Sequence, residues 1–570
     1  MIHPITTRSA DCKDCYRCLR VCPVKAISVK EGQAKVQQEK CILCGKCVLE
    51  CPQQAKLIKS EVFKVRDFLL TGAKVVLSIA PSFPAYFCDA EDWSSLTARL
   101  RKIGFGAVEE TSFGAQYTAE SYKELYLQDN REITLSSCCP VIVNIIEIYF
   151  PELLKNLAPT ASPVIAHGLS IKERYGWDTK VVFAGPCIAK MVERGKEGRV
   201  DAVLTFAQLE DLLSSAEDGF INTDDNHEAY AIDTRLFPLP GGTIRSFVKE
   251  NNINLEVETI TGIEECWQTL QSLKSGSLHV KFIEMMACKG GCIDGPVMDH
   301  TKSILERKRY VLDFYTGLQN CTGQEIFPVT ANLLVRKFVA RPFVEEEVPQ
   351  NEIEKILSQI GKYSVADEKN CGGCGYKTCR EKAEAVFRGN AELEMCMSYM
   401  KSKAETTAHT IVNSTPNGVI VFDQNLMIKE LNPAAKKYFA FYDLDIGEKL
   451  DIYMDVTHFL QVINTGIALK DYTVYYEELD LWTRQIIVPM LNSKENLYMA
   501  IITDITENEK KKIEMEQIKD QILSKAHHVI NNQMLVAQQI AGLLGETTAE
   551  TKTTLLEVIK HFTKETERKV

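Results

Sequence analysis

Apolar and polar positions alternate differently in successive parts of the chain. From about residue 60 to 345, strand-like apolar runs, of which AKVVLSIAPS at 73–82 is the first, alternate with segments of helical periodicity. That alternation predicts an α/β domain. An acidic linker containing prolines, RPFVEEEVPQNEIEK, then leads into a short cysteine-rich piece at 350–402. Residues 403–508 carry the strand patterns VIVFD, MIKEL, QIIVPML and YMAIITDIT with helical segments between, a compact α+β unit. The tail, 509–570, has few glycines and no proline, and Met515, Ile518, Ile522, Ala526 and Val529 recur at three- and four-residue spacing. Such a stripe pairs helices. The most apolar stretch, Phe68 to Phe87, is broken by Gly72, Lys74 and two prolines, so no membrane span is expected.

Size and charge narrow the classes further. The 570 residues have room for about four domains of ordinary size. A net charge of -11 with 45% apolar residues marks a mildly acidic globular protein and argues against nucleic-acid binding. Twenty cysteines, without a basic-then-apolar leader, make sense as thiolate ligands in a reducing compartment, and a cytoplasmic location is expected.

Eight of those cysteines fall within the first fifty-one residues in two copies of one pattern: Cys12, Cys15, Cys18 and Cys22 before Pro23, then Cys41, Cys44, Cys47 and Cys51 before Pro52. C-x2-C-x2-C-x3-C-P is the spacing of a two-cluster 4Fe-4S ferredoxin, in which the fourth cysteine of each run crosses to the other cluster. Residues 1–57 are therefore expected to hold one cubane on Cys12, Cys15, Cys18 and Cys51, and another on Cys41, Cys44, Cys47 and Cys22. Structural zinc is the competing reading. A second cysteine set, Cys371, Cys374, Cys379 and Cys396, sits in CGGCGYKTCREKA and beyond. It looks like the small 4Fe-4S domain of several redox proteins, again with zinc as the alternative.

Three further cysteine motifs lie far apart in the α/β region: Ser136-Ser137-Cys138-Cys139-Pro140, Gly185-Pro186-Cys187-Ile188-Ala189-Lys190 and Glu284-Met285-Met286-Ala287-Cys288-Lys289-Gly290-Gly291-Cys292. From chemistry alone, Cys139, Cys187, Cys288 and Cys292 could meet around one cluster, leaving Cys138 free. Together, downstream of a ferredoxin module, the motifs closely resemble the three signatures of the iron-only (FeFe) hydrogenases. The resemblance implies that those four cysteines hold the 4Fe-4S part of an H-cluster, with the Cys292 sulfur bridging to a diiron unit that carries CO, CN and azadithiolate ligands. It implies that Lys190, Ala80, Pro81 and Ser82 cradle the cyanides, and that Ser137 and Pro186 belong to the same shell. Met286 would line the diiron pocket, and Cys138 would pass a proton to the azadithiolate amine. Cys88, Cys266 and Cys321 fit no ligand pattern and are expected to be packing residues.

Departures from the family pattern concern the pocket and the proton route. Ile142 stands where tryptophan is usual, Gly185 where methionine is usual, and the third motif ends GCIDGPV where GGG is common. The serine of the usual route falls on Ala158, and the usual glutamates are sought at Glu120 and Glu124. The gap between the second and third motifs is also short, and the glycine-rich SGAG stretch of well-known catalytic members has no counterpart.

Residues 403–508 resemble a PAS domain, from STPNGVIVFDQNLMIKELNPAAKKYF to the closing Asp504-Ile505-Thr506. No residue inside clearly binds haem or flavin; His458 is one candidate and is expected to be a surface or core histidine, leaving the PAS ligand unknown. The tail segment KAHHVINNQMLVAQQIAGLL resembles the dimerisation helix of histidine kinases around His527 and His528, yet no ATP-binding domain follows.

The expected protein is thus multidomain, α/β and α+β: a two-cluster ferredoxin module at 1–57, an H-cluster domain at 60–345, a small 4Fe-4S domain at 350–402, PAS at 403–508 and C-terminal helices at 509–570. Its expected function is reversible H2 oxidation at the H-cluster with electrons relayed through three further 4Fe-4S clusters, coupled through PAS to redox or H2 sensing. Two alternatives are a plain ferredoxin-dependent hydrogenase and a non-catalytic iron-sulfur sensor or assembly protein. Expected partners are ferredoxin or another low-potential carrier, hydrogenase maturation proteins, a second copy of the chain and a signalling phosphatase or kinase, with neither nucleic acid nor membrane.

Overall fold

A computed structural model describes residues 3–87, 93–128, 133–193, 198–214, 233–248, 256–276, 280–317, 329–441, 446–490, 496–544 and 549–564. Cys88 and Cys321 lie outside the described residues. The chain divides into two compact units, Met1–Met400 and Lys401–Val570.

In the first unit the α/β pattern becomes two parallel sheets. One has four strands in the order Ala107–Glu110, Val75–Ile79, Lys180–Gly185, Ala202–Thr205. The other has three, Val257–Thr261, Phe282–Met286, Thr134–Leu135. Val75–Ile79 is buried along its whole length, as a parallel strand covered on both faces must be, which is why it reads as an unbroken apolar run. Helices Ser112–Leu127 and Pro163–Tyr175 cross so closely that a Cβ on Gly114 would lie 2.1 Å from the Pro163 carbonyl oxygen. Only glycine permits that approach.

The sheets aim the chemistry. Ala80 follows the end of Val75–Ile79, Ser136 follows Thr134–Leu135, Pro186 follows Lys180–Gly185 and Ala287 follows Phe282–Met286. All the hydrogenase-like motifs therefore leave the carboxyl ends of parallel strands, the end at which open α/β sheets build their sites. Ser136 Oγ accepts the Met285 amide at 2.9 Å, tying the first motif to the third.

The N-terminal module folds as two small antiparallel pairs, Ile5–Thr7 with Lys56–Ile58 and Ile27–Lys30 with Gln33–Val36. It packs against the third motif at Gly45, where a Cβ would lie 2.5 Å from the Pro296 ring. The cysteine-rich piece has its own core of Ile353, Ile356, Leu357, Ile360, Ala383 and Cys396. It joins the N-terminal module through the Val29 amide, which donates to the Asn390 carbonyl at 2.9 Å, and the Arg20 guanidinium, which reaches the Gly373 carbonyl at 3.2 Å.

The second unit contains a five-stranded antiparallel sheet, ordered Ile428–Leu431, Gly418–Asp423, Leu497–Asp504, Leu481–Pro489, Leu469–Tyr476. Leu469–Tyr476 is an addition to the sequence-based strands. Its residues are mostly exposed or half-buried, so they show no clean apolar alternation. Asn432 caps helix Pro433–Phe439 by accepting the Ala435 amide at 2.9 Å. At the far end Thr506 Oγ1 accepts the Trp482 amide at 2.9 Å, fastening the Asp504-Ile505-Thr506 turn to the sheet. The helix that starts there, Thr506–Leu544, carries Met515, Ile518, Ile522 and Val529 exposed by 72, 55, 61 and 53%.

Candidate active site and iron-sulfur sites

The carboxyl ends of the two parallel sheets surround a cavity of about 130 Å³. Cys139, Cys187, Cys288 and Cys292 all line it, brought together from three motifs spread over more than 150 positions. Ala80, Pro81, Ser82, Cys138, Pro186, Lys190 and Met286 line it too, whereas Ser137 is buried just behind the wall. Leu43 and Cys44 of the N-terminal module reach the same cavity.

Burial pushes the Cys138 thiol up to about 12, against the opposing influence of a hydrogen bond with Tyr122 and the charge of Lys190. Cys138 is therefore a protonated thiol near neutrality. Its Sγ lies 3.1 Å from the Tyr122 hydroxyl, which also accepts the Ser137 amide at 2.8 Å. Lys190 Nζ donates to the Cys138 carbonyl at 3.1 Å and to Glu193 Oε2 at 2.6 Å. Burial raises the Glu193 carboxyl, but Lys190 and Arg336 outweigh it and hold the group below its ordinary range. Lys190 is thus a donor held in place at the cavity edge by its ion pair with Glu193.

Tyr122 and Glu284 belong to this site although neither was among the residues assigned from sequence. Glu284 lines the cavity, is 1% exposed, and accepts the Thr243 amide and the Thr259 hydroxyl, each at 3.2 Å; burial pushes its carboxyl up. It stood within the third motif, but nothing in the spacing distinguished a buried acid from a strand residue. Tyr122 had no sequence signal, because its partner Cys138 lies across a helix-to-loop contact.

The structure corrects the proton-route expectation at Glu120 and Glu124. Helix Ser112–Leu127 buries Ala115, Thr118, Ala119 and Tyr122, and its 3.6-residue period turns Glu120 and Glu124 out to solvent. Ala158 is fully buried and brings no proton-carrying atom. Gly185, the other marked departure, has a steric cause: a Cβ there would lie 2.6 Å from the Phe183 ring and 3.1 Å from the Ala80 Cβ. Phe183 occupies the wall where a longer residue at 185 would project.

The remaining cysteine sets are also brought together. Cys12, Cys15, Cys18 and Cys51 ring one small cavity, so the cysteine before Pro52 crosses to the first run. Cys22, Cys41, Cys44 and Cys47 lie close enough for the charge of one thiolate to be felt at the others. Cys371, Cys374, Cys379 and Cys396 ring a further cavity. Burial raises the thiols of Cys41, Cys44 and Cys187 to about 12, 11 and 11, so iron must displace protons when it binds there. Cys266 is a packing residue, fully buried, with its Sγ near the Ile260 and Met286 carbonyls. His458, half-buried in the second unit, lies against Tyr472 with ring centroids 3.8 Å apart and the ring planes tilted by 46°.

Residues 73–296 match the family model of the iron-only hydrogenase large subunit, C-terminal domain. The chain carries an iron-only hydrogenase domain. Residues 11–55 match the 4Fe-4S dicluster domain, 367–398 an Fe-S cluster model and 408–469 the PAS domain. The chain is 28% identical over 373 residues to iron hydrogenase 1 of Clostridium pasteurianum, an alignment covering 52% of this chain and 65% of that relative. It is 26% identical over 283 residues to the periplasmic [Fe] hydrogenase large subunit of Nitratidesulfovibrio vulgaris, covering 39% of this chain and 67% of the relative. It is also 26% identical over 242 residues to the cytosolic Fe-S cluster assembly factor NAR1 of Encephalitozoon cuniculi, covering 37% and 64%. The chain thus spans just under two thirds of the length of the clostridial enzyme. No helix among the described residues is long and apolar enough to cross a membrane.

The hydrogenase domain passes a test of fit for an H-cluster on its own atoms. Four thiols face one cavity whose lining is largely apolar, and the hydroxyl of Ser82, fully buried in that lining, has no hydrogen-bond partner among the described residues. A buried orphan hydroxyl is costly unless a polar ligand meets it.

Proposed function

We propose that this protein is a cytoplasmic FeFe hydrogenase that interconverts H2 with protons and electrons and reports its redox state through the PAS domain. The observation that carries the reading is the convergence of Cys139, Cys187, Cys288 and Cys292 on one cavity with Cys138, Lys190, Met286 and the unpartnered Ser82 hydroxyl. When bound, an H-cluster supplies the iron site at which H2 is split and re-formed, with CO, CN and azadithiolate on its diiron unit.

The chain's own residues do the rest. The four cysteines hold the cluster; Lys190 and Ser82 present donors to it; Met286 and Phe183 keep water out. Cys138, a thiol at neutral pH, holds a proton at its Sγ and exchanges it at short range, with Tyr122 fixing its direction. Cys44 on the cavity wall and the contact of residues 373–375 with Leu19 and Arg20 support an electron order from the Cys371 set, through the ferredoxin module, to the hydrogenase domain. Three 4Fe-4S clusters would serve that path, supplied by ferredoxin or another low-potential carrier after loading by hydrogenase maturation proteins.

The sensory part of the proposal draws on the PAS sheet, its hydrogen-bonded exit turn and the exposed apolar stripe of Thr506–Leu544, which suits pairing with a second copy and docking of a signalling phosphatase or kinase. The NAR1 relative supports a second reading, an assembly protein without a diiron unit. Infrared spectra of the matured full-length protein separate the two. CO and CN bands together with H2 turnover on reduced viologen are expected, and protein that shows neither is a non-catalytic iron-sulfur protein.

A further inference from the structure

The cavity wall has a polar exit that none of the cysteine motifs contains. Thr111, the residue after strand Ala107–Glu110, lines the cavity and is 2% exposed. Its Oγ1 lies 2.7 Å from Ser78 Oγ, and Ser78 Oγ lies 2.8 Å from His167 Nδ1. On the other side of the ring, His167 Nε2 lies 3.1 Å from Glu109 Oε2. Glu109 in turn accepts Arg174 Nη1 at 3.0 Å and the Tyr175 hydroxyl at 2.9 Å. Side-chain exposure rises along the line, from 0% at His167 through 7% at Glu109 to 19% at Arg174. An unbroken row of hydrogen-bonding groups thus leads from the cluster cavity, through the sheet, to the surface.

The direction of each bond follows from the ionised end. Burial pushes Glu109 up, but His167 and Arg174 outweigh it and hold the carboxyl far below its ordinary range, so Glu109 only accepts. Burial also keeps the imidazole neutral, with its affinity for a proton lowered. His167 Nε2–H therefore donates to Glu109, Nδ1 accepts from the Ser78 hydroxyl, and Ser78 accepts from Thr111. The row leaves the Thr111 Oγ1 lone pairs free to accept, on a residue that lines the cavity.

We propose that Thr111, Ser78, His167 and Glu109 form a proton relay between the cluster cavity and the surface at Arg174 and Tyr175. The relay rests on the hydrogenase reading above and supplies what Glu120, Glu124 and Ala158 do not. A proton arriving at Thr111 Oγ1 forms one O–H bond there while the original Thr111 proton passes to Ser78. The Ser78 proton passes to His167 Nδ1, and the Nε2 proton passes to Glu109, from which it leaves to solvent. One proton enters, one leaves, and no electron is moved. Rotation of the two hydroxyls and a tautomer change of His167 restore the row; the reverse order brings protons in. A network needed only to fasten helix Pro163–Tyr175 to the sheet would have no reason to end at the cavity, and packed apolar side chains would fasten it as well.

The test uses matured full-length protein with Thr111→Val, Ser78→Ala, His167→Gln and the conservative Thr111→Ser. Thr111→Val and Ser78→Ala are expected to keep the CO and CN infrared bands while lowering H2 turnover about tenfold or more and enlarging its solvent deuterium isotope effect. Thr111→Ser is expected to restore both. Independently of turnover, infrared difference spectra between H2- and argon-equilibrated protein should contain a histidine ring signal that His167→Gln removes. Unchanged turnover and isotope effect in both hydroxyl variants would overturn the relay, as would loss of the CO and CN bands in both, since the hydroxyls would then serve the fold. Absence of those bands in the unmodified protein would instead remove the hydrogenase reading itself.

Discussion

Cys138 shows how much a single side chain depends on its surroundings. In water a thiol sits near 8.5, but burial takes this one to about 12, and Tyr122 at 3.1 Å gives the sulfur a fixed partner. Replacing Cys138 with Ala should leave the clusters intact and lower turnover by about two to four orders of magnitude, the range for a lost proton-transfer group. Tyr122→Phe removes only the partner, so its loss of rate should be smaller, with unchanged CO and CN bands; steady-state H2 assays on both variants check the ranking. Gly185 makes the opposite kind of residue-scale statement. Gly185→Met forces a side chain into the Phe183 ring and should cost about 1–3 kcal/mol by overpacking. Denaturant unfolding should show Phe183→Ala relieving part of that loss in the double variant.

At the scale of elements, the helix Pro163–Tyr175 is held to the four-stranded sheet by His167 and Arg174 on Glu109. His167 has a folded pKa below its ordinary 6.5 and Glu109 one below its ordinary 4.5. Both shifts have the same sign: their stabilisation is complete above the unfolded values and is lost as pH falls, first for His167 and then for Glu109. Buried Glu110 and Glu284, whose carboxyls burial pushes up, act in the opposite sense, so the difference between variants is the clean measure. The stability gap between the unmodified protein and His167→Gln should be constant above about pH 6.5 and shrink as the solution is made more acid. A set of urea midpoints across that range would show it; a gap that widens in acid would mean that the imidazole is charged in the folded protein.

For the whole molecule, Met1–Met400 holds every cysteine set and Lys401–Val570 holds the PAS sheet and the tail. A chain ending at residue 400 is expected to keep its CO and CN bands and its H2 turnover while losing self-association, read by sedimentation. Replacing Cys371 with Ala in the full chain should remove one cubane and spare the diiron bands, because the Cys371 set has its own small core. Iron analysis and paramagnetic resonance count the clusters; loss of the diiron bands would show that the two sites load together.

The cysteine sets, the order of the domains and the α/β character of the hydrogenase domain could be read from the chain alone. Ligand spacing is local: within each cluster loop the thiols lie three to five positions apart whatever surrounds them, and a buried parallel strand must be apolar along its length. Convergence of Cys139, Cys187, Cys288 and Cys292 was also inferable, since each motif is short and chemically distinctive. Other features existed only once the chain had folded. Whether an acid such as Glu120 or Glu284 faces the cavity depends on helix phase and sheet register. The row from Thr111 through Ser78 and His167 to Glu109 joins two neighbouring strands and a helix whose residues lie up to 89 positions apart. Hydrogen bonds of that kind carry no spacing rule, because it is the packing of parallel strands against the crossing helices that puts hydroxyl, imidazole and carboxylate within 3 Å or so of one another.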